Sequence, residues 1–351
     1  MHVTPRNYIW KTKSVIPETH DTVTIEFDTG GEAFAYKAGQ FINLTLHIDG
    51  KPVTRSYSMS SVPGESGSPS ITVKKVNGGL LSNYIVDNAR TIQHWRIDGP
   101  YGSFITPEKS DHLVLLTGGS GITPLFSILR YFLNQADNTR VTLIYSNRTE
   151  EDIIFNEKLV KSQQLFKERF TIIHVLSKPR KIKDLVGTVI ESRLNKIILK
   201  KLLRQAVGTS SAHVKYFICG PGTLMKMHHD ALIAMQVSDD KILVERFVPE
   251  PVNNAVVLPD KTHEVLLHFY ERSNLLEVAP GTTILTAALT DRVPLPYSCK
   301  AGTCGKCVAK LTAGNVSMPN NYSLRKDELE AGLILLCQSY PLNDEVTVEI
   351  A

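Results

Sequence analysis

Four cysteines near the C-terminus carry the clearest chemistry in this chain. Three stand on one short stretch, Cys299-Lys-Ala-Gly-Thr-Cys304-Gly-Lys-Cys307, and the fourth, Cys337, follows after a gap of 29 residues. The spacing C-x4-C-x2-C…C is that of a site for two irons and two sulfides. Such a site needs four thiolates converging from one side. The tight loop can supply three, because Gly302 and Gly305 let the backbone turn closely enough for amide N–H groups to face sulfur. The apolar segment Leu333-Ile-Leu-Leu-Cys337 brings the fourth. A zinc site is the competing reading. Zinc cysteines usually come as two C-x2-C knuckles, and Cys299 and Cys337 belong to no such pair. An iron–sulfur centre of this kind carries one electron, which raises the question of what loads it.

Two upstream constellations answer that question. Arg55-Ser56-Tyr57-Ser58 combines a guanidinium that can neutralise a phosphate, a ring that can lie on a flat heterocycle, and hydroxyls that can bond its heteroatoms. Gly78-Gly79-Leu80-Leu81-Ser82 opens a short helical stretch whose first amides would face a pyrophosphate. Further on, Thr117-Gly118-Gly119-Ser120-Gly121-Ile122-Thr123-Pro124 lies between an apolar strand and a helix, where glycines let the backbone approach a diphosphate. It is not G-x-G-x-x-G, since Pro124 stands where the third glycine would be. Cys219-Gly220-Pro221-Gly222 repeats the strand–glycine–helix arrangement, and Glu245-Arg246-Phe247 closes that region.

The choice between NADPH and NADH is a question of charge. A cation after the second strand of a nucleotide-binding sheet attracts a 2′-phosphate, whereas a carboxylate bonds a ribose diol. Arg148 and Lys178 are the candidate cations, with Glu150, Glu151 and Asp152 close behind Arg148. The balance predicts NADPH, with NADH as the alternative.

The elements that must position these residues fall into three modules. Short β-branched runs separated by Gly and Pro fill the first hundred residues, among them 22–27, 40–46 and 70–76, and predict a β-barrel or sandwich. From His112 the pattern becomes strand and helix in alternation, which predicts a parallel sheet. Strands are expected at 112–117, 140–146, 170–177, 215–219 and 241–247. Helices are expected at 124–134, 153–165 and 222–236, with one long amphipathic stretch over 189–203. The boundaries predicted are 1–107 for the barrel, 108–249 for the α/β domain, 250–262 for a Pro- and Asn-rich linker, and 263–351 for the cysteine-bearing α+β unit.

Composition narrows the function classes. A chain of 351 residues with 42% hydrophobic and 21% charged residues is that of a globular protein with more than one core. The net charge of +4 is spread thinly, with no basic run to favour nucleic acid. No apolar run is long enough to span a bilayer, and the first residues lack the apolar core of a secretory signal. Five cysteines, four of them clustered, fit metal ligation in a reducing compartment and predict a cytoplasmic location. His228 and His229 read as exposed helix residues without a metal role, and Trp10 and Trp95 as packing residues.

Taken together, these motifs resemble known families. Leu295-Pro-Tyr-Ser-Cys299, the cysteine loop and Gly332-Leu-Ile-Leu-Leu-Cys337-Gln338 resemble plant-type ferredoxins, which implies a β-grasp fold and one-electron transfer. Arg55-x-Tyr57-Ser58, Gly79-x-x-Ser82, Gly99-Pro100-x-Gly102-x-Phe104 and Gly118-Gly119-x-Gly121-Ile-Thr123-Pro124 resemble the ferredoxin–NADP⁺ reductase family. That resemblance implies FAD, with FMN used in a related group. On it, Arg55 and Ser56 lie along the FAD, with Arg55 at its pyrophosphate, Tyr57 packs on the isoalloxazine and Ser58 lies near its N5 edge. Gly79, Leu81 and Ser82 sit at the pyrophosphate. Gly119, Gly121, Thr123 and Gly220 hold the nicotinamide nucleotide. Cys219 lies near the nicotinamide C4, Glu245 near Cys219, and Phe247 covers the flavin where relatives often have Tyr. Ser58, Cys219 and Glu245 are thus the expected catalytic residues.

Met318-Pro-Asn-Asn-Tyr322-Ser-Leu324 and the segment through Cys337 are similar to the reductase subunits of phenylacetyl-CoA epoxidases. Steroid hydroxylase and fatty-acid desaturase reductases share the architecture. The resemblance implies electron flow from NAD(P)H through FAD and [2Fe–2S] to an oxygenase or desaturase partner, with a di-iron oxygenase as the acceptor. A non-enzymatic ferredoxin-type carrier with vestigial upstream domains is the other reading, against which the intact Arg55, Tyr57, Gly121, Cys219 and Glu245 speak.

Overall fold

The computed structural model describes residues 6–65, 67–105, 110–135, 138–182, 185–207, 213–247, 258–297 and 299–350. Two compact units make up the chain, the first holding most residues up to Arg246 and the second those from Phe247 onward together with Thr54–Ser56 and Tyr101–Ser103.

The first unit begins with six strands: β1 (Arg6–Thr19), β2 (Thr22–Asp28), β3 (Phe41–Ile48), β4 (Lys51–Ser58), β5 (Ser70–Lys74) and β6 (His94–Tyr101), with helix α1 (Leu80–Asn88) between the last two. They form one antiparallel, barrel-like sheet in the order β4-β3-β6-β1-β2-β5. Its two edges, β4 and β5, meet just past Ser58, where Met59 bridges to Ile71 and the Ser60 amide donates to the Ser70 carbonyl at 2.8 Å. The barrel core is aromatic. Trp10 and Trp95 are fully buried on either side of Phe27, with ring centroids 5.5 and 5.7 Å away. Both tryptophans therefore pack as the sequence predicts, and the indole of Trp95 donates to Thr12 Oγ1 at 2.7 Å. The long strand β1 escaped the sequence pattern because Lys11 and Lys13 and a bulge near Pro17 break its alternation.

A second, all-parallel sheet follows. Its strands are β7 (His112–Gly118), β8 (Arg140–Asn147), β9 (Phe170–Leu176), β10 (Thr188–Glu191), β11 (Val214–Cys219) and β12 (Ile242–Glu245). The order is β10-β9-β8-β7-β11-β12. Helices α2 (Ile122–Asn134), α3 (Asn156–Leu165), α4 (Lys196–Val207) and α5 (Gly222–Ile233) cover it. All seven residues of β7 are buried, as expected of a central parallel strand with helices on both faces. Leu113 and Leu115 enter the core with α2 and α3, while Val114 and Leu116 enter the core with α4 and α5. From β7 the chain adds β8 on one side and β11 on the other. Such a reversal of strand order leaves a crevice at the carboxyl ends of the two central strands, where ligands bind.

The second unit is a mixed sheet in the order β14-β13-β19-β15-β17. Its strands are β13 (His263–Phe269), β14 (Arg272–Val278), β15 (Val308–Ala313), β17 (Leu333–Leu335) and β19 (Val346–Ile350); β16 (Val316–Ser317) and β18 (Tyr340–Pro341) pair separately. Helix α6 (Ile284–Thr290), capped by Thr283 Oγ1, packs on the sheet, and α7 (Lys326–Glu330) lies between β16 and β17. The parallel pairing of β13 with β19 beside antiparallel β15 and β14 is a β-grasp arrangement.

Three expectations need correction. The amphipathic stretch over 189–203 is not one element: β10 ends at Glu191 and α4 starts at Lys196. The helix expected from Ile153 begins at Asn156, because Thr149 and Asp152 cap a separate short turn over Glu150–Asp152. His228 is not exposed but fully buried in α5, facing the core against the sheet, whereas His229 lies at the surface beside Asp239. Most of the expected linker, and the expected boundary at 107/108, lie outside the described residues.

Three histidines are buried among the described residues of the first unit. His228 and His174 have no hydrogen-bond partner for either ring nitrogen among the described residues, and His112 bonds Thr142 through Nε2 alone. Burial pushes His112 and His174 down to about 4 and His228 to about 3. Each stays neutral in the fold, while an unfolded histidine protonates near pH 6.5. Below that pH the unfolded chain binds more protons, so stability falls as pH falls, by at most about 1.4 kcal/mol per pH unit for each group. The urea midpoint is expected to drop between pH 7 and pH 5, and His228→Leu to flatten that drop; equal slopes for both proteins would contradict it.

Candidate functional site

In the second unit, strand register assembles the cysteines. Cys307 immediately precedes β15 and Cys337 lies two residues past β17. The pairing of Val308 with Leu335, extended by the Leu336 amide donating to the Cys307 carbonyl at 3.0 Å, brings the third and fourth cysteines together. The loop from Cys299 brings the other two. Cys304, Cys307 and Cys337 are buried and Cys299 is half-buried. The thiols sit as neighbours, Cys304 with Cys299, Cys299 with Cys337, and Cys337 with Cys307. The Cys304 and Cys337 contacts hold Cys299 far below an ordinary thiol, and these contacts, with burial, push Cys304 and Cys337 up. The four thiols thus run in one row, Cys304, Cys299, Cys337 and Cys307, a donor set suited to a two-iron centre.

Backbone amides complete the donor set. Ala301 N and Thr303 N lie 3.4 Å from Cys299 Sγ, and Cys299 N lies 3.5 Å from Cys304 Sγ. Amides facing sulfur stabilise thiolate charge, so the residues fit a [2Fe–2S] group.

In the barrel, Arg55, Ser56, Tyr57 and Ser58 all lie on the edge strand β4, with Arg55 exposed and Ser58 buried. Gly79 is the N-cap of α1, whose first turn carries no side-chain cap and no acidic residue. Its opening amides are therefore suited to a phosphate acceptor. Ser82 Oγ turns back to the Val76 amide at 3.4 Å, so it shapes the turn. Leu81 packs in the barrel core and can offer a ligand only its backbone. The edge strand and the helix N-terminus together fit a flavin dinucleotide.

The nucleotide crevice is built by close backbone packing. A Cβ on Gly121 would lie 2.4 Å from the Cys219 carbonyl oxygen and 2.6 Å from Gly220 Cα. Only glycine lets the loop after β7 rest on the loop after β11. Thr123 is buried and bonds the Ser120 carbonyl at 3.0 Å, and Tyr145 OH bonds the Gly119 carbonyl at 3.0 Å, which fixes the loop from both sides. Beside it opens a cleft of about 660 Å³, walled by Gly118, Gly119, Ser146, Asn147, Arg148 and Arg193 among others. Ser146 Oγ and Asn147 Nδ2 are buried there without a hydrogen-bond partner among the described residues. Orphaned polar atoms in a cleft wall fit a polar ligand such as a dinucleotide.

Of the two expected cations, Arg148 lines this cleft and Lys178 does not. Arg193, which sequence reading missed, lines it instead. It was hidden because it stands in the turn between β10 and α4, inside the stretch read as one amphipathic element. Of the acids beside Arg148, Glu150 and Glu151 are engaged away from the cleft, whereas Asp152 lines it together with Asp21. Glu150 accepts from the amides of Arg180 and Lys181, Glu151 lies 3.7 Å from Arg180, and Asp152 caps Thr149.

Where the two sheets of this unit approach, Ser58 Oγ lies 3.4 Å from Glu245 Oε2. Burial pushes Glu245 up to about 8, partly offset by the Ser58 bond. Burial, and then the Glu245 charge, push the Cys219 thiol up. Cys219 and Glu245 are register partners on β11 and β12. The structure thus brings together Ser58, Cys219 and Glu245. Phe247 follows two residues later and is exposed.

An antiparallel barrel, a parallel nucleotide sheet and a four-cysteine β-grasp unit define a pyridine-nucleotide-dependent iron–sulfur flavoprotein reductase. Comparison with known proteins agrees module by module. Residues 11–105 match the oxidoreductase FAD-binding domain family, 115–230 the oxidoreductase NAD-binding domain family, and 270–342 the 2Fe-2S iron-sulfur cluster binding domain family. The chain is 33% identical to a subunit of the 1,2-phenylacetyl-CoA epoxidase of Escherichia coli K12, over 95% of this chain and 94% of that protein. It is 32% identical to the ferredoxin reductase component of 3-ketosteroid-9-alpha-monooxygenase of Rhodococcus rhodochrous, over 98% and 97%. Its fold is shared with phthalate dioxygenase reductase (TM-score 0.57, 21% identity, 98% of each chain). A type IV self-sufficient cytochrome P450 monooxygenase shares it too (TM-score 0.76, 19% identity, 98% of this chain and 41% of that one).

The chain belongs to the family of FAD- and [2Fe–2S]-containing reductase components of oxygenase systems. It is an NAD(P)H-dependent oxidoreductase. Among its described residues no helix is long and apolar enough to cross a membrane.

The Glu245 carboxyl supplies a pH test. It is raised from 4.5 to about 8 in the fold, so between those pH values the folded chain holds a proton that the unfolded chain has released. Stability from this group therefore falls as pH rises from about 5 to 8, by at most about 1.4 kcal/mol per pH unit. Glu245→Gln keeps the neutral form. Its unfolding midpoint is expected to gain on the wild type steadily from pH 5 to pH 8; parallel profiles would refute the raised carboxyl.

Proposed function

We propose that this chain oxidises NADPH and delivers electrons to the oxygenase of a phenylacetyl-CoA epoxidase system, from a reducing cytoplasmic compartment. What carries the reading is the near-full-length likeness to the Escherichia coli epoxidase protein, joined to an intact Ser58–Glu245–Cys219 constellation. When bound, the nicotinamide supplies a hydride, the flavin splits it into single electrons, and the cluster carries each of these onward.

The chain's own residues set the conditions for that chemistry, in three modules with boundaries near 107, 249 and 263. Arg55 would neutralise flavin phosphate charge, and Ser56 and Tyr57 would lie along the flavin. Gly79, Leu81 and Ser82 would present the α1 amides to its pyrophosphate. Gly119, Gly121, Thr123 and Gly220 would seat the nicotinamide nucleotide, with Phe247 offering an aromatic surface. Ser58 Oγ donates toward Glu245 Oε2, and Glu245, neutral below about pH 8, can hold a proton one hydroxyl away from the flavin edge. Cys219 stays a thiol, so the crevice beside the nicotinamide gains no extra charge.

Arg148 and Arg193 make no ion pair among the described residues and share the wall of the cleft. Two cations in the cleft lining suit a 2′-phosphate, which favours NADPH over NADH, and Lys178, outside that lining, is the lesser candidate. Arg148→Ala and Arg193→Ala are each expected to lower kcat/KM for NADPH about tenfold, roughly 1.4 kcal/mol, with little change for NADH. Equal losses with both coenzymes would remove the assignment.

A second reading, reductase of a steroid monooxygenase, is favoured by the 32% likeness over the whole chain. Reconstitution separates the two. The holoprotein is mixed with the oxygenase components of either system, and NADPH oxidation coupled to product is measured. Coupled epoxidation of phenylacetyl-CoA is expected. Coupling to the steroid oxygenase alone would overturn the epoxidase reading and leave the reductase class standing.

A further inference from the structure

Between β16 and α7 the stretch Asn320-Asn321-Tyr322-Ser323 lies against the cysteine loop without giving it a ligand. Tyr322 N and Ser323 Oγ both donate to the Gly302 carbonyl, at 3.0 and 3.2 Å. Gly302 has φ +74°, and a Cβ there would stand 3.0 Å from both the Asn320 carbonyl oxygen and Gln338 Cγ. The loop is thus clamped between this stretch and Gln338, the residue after Cys337.

Gln338 is buried, 7% exposed. Its Nε2 lies 2.8 Å from the Cys337 carbonyl oxygen, 3.2 Å from the Lys300 carbonyl oxygen and 3.9 Å from Cys337 Sγ. An amide group beside two carbonyl oxygens must present its N–H end to them. Its Oε1 therefore faces the other way, where it accepts from Asn320 Nδ2 at 3.0 Å. Asn320 Oδ1 in turn accepts from Tyr322 OH at 3.2 Å. The three side chains form a relay with one allowed direction, Tyr322 to Asn320 to Gln338. It ends on the two segments that carry ligands, Lys300 beside Cys299 and Cys337 itself.

We propose that Gln338, oriented by Asn320, is a positioning residue for the iron–sulfur centre: it ties the Cys299 loop to Cys337 and shares an N–H with the Cys337 sulfur. The proposal rests on the four cysteines being the cluster ligands. Two N–H bonds meet three acceptors, so the carbonyls set the geometry and the sulfur takes a shared hydrogen. An N–H directed at ligand sulfur favours the more negative, reduced centre and raises its potential. Losing it lowers the potential.

Two substitutions in the full-length holoprotein test this. Gln338→Met keeps length and burial and removes the donors. Asn320→Leu takes away the N–H that braces Gln338 Oε1 without adding charge, so the amide loses the partner that holds its N–H near the sulfur. Both variants are expected to lower the cluster's midpoint potential in a redox titration followed by electron paramagnetic resonance. Both are also expected to lose iron to a chelator about tenfold faster, with the flavin potential unmoved. If Gln338→Met retains no iron, the potential of Asn320→Leu alone decides. An unchanged potential in Asn320→Leu, or faster iron loss with an unchanged potential, overturns the proposal. Wild-type protein without iron–sulfur absorption would overturn the ligand assignment instead.

Discussion

A shielded carboxyl beside a buried hydroxyl joins the two sheets of the first unit. Ser58 closes an edge strand of the barrel, Glu245 closes an edge strand of the parallel sheet, and their side chains meet at 3.4 Å, 187 residues apart in sequence. A group with little access to water keeps its charge only at a cost, so Glu245 is held neutral to about pH 8 and the neighbouring thiol of Cys219 is kept protonated. This contact is where an edge strand of the barrel meets the carboxyl ends of the parallel strands.

The iron–sulfur unit meets a different electrostatic demand with different means. Four thiolates gathered in one loop region carry negative charge, and backbone dipoles face it. Amides of Ala301 and Thr303 face Cys299, and the amide of Cys299 faces Cys304. Those dipoles are fixed by loop conformation, and the conformation is fixed by Gly302 packed under Asn320 and Gln338. Sulfur chemistry here is thus set by residues that carry no sulfur.

Coenzyme recognition shows the same dependence on what neighbours do. Four charged residues in close succession, Arg148 and then Glu150, Glu151 and Asp152 after Thr149, look unfavourable to a phosphate on paper. In the fold each acid has its own task, on the amides of Arg180 and Lys181, on the Arg180 side chain, or as a cap on Thr149. The charge of Glu150 and Glu151 is spent locally, and Arg148 lines the cleft in company with Arg193 and Asp152.

Residue spacing alone revealed the classes of chemistry and their order along the chain. Cysteine spacing, glycine loops at strand ends and the Arg-x-Tyr-Ser strand are local patterns, and local geometry is what neighbouring residues dictate. The same locality explains the buried strands of the parallel sheet, whose continuous apolar runs announce themselves. Tertiary structure alone decided what depends on distant partners. The long strand β1 is legible only through its pairing with β2 and β6. His228 looks like a surface histidine until the sheet covers it. Arg193 reaches the cleft only because β10 and α4 separate around it, while Lys178, adjacent to a cleft residue, does not line the wall. The role of Gln338 required three side chains from two segments to fix one another's direction. Hydrogen-bond direction and burial are properties of assembled neighbours, and no spacing along a chain encodes them.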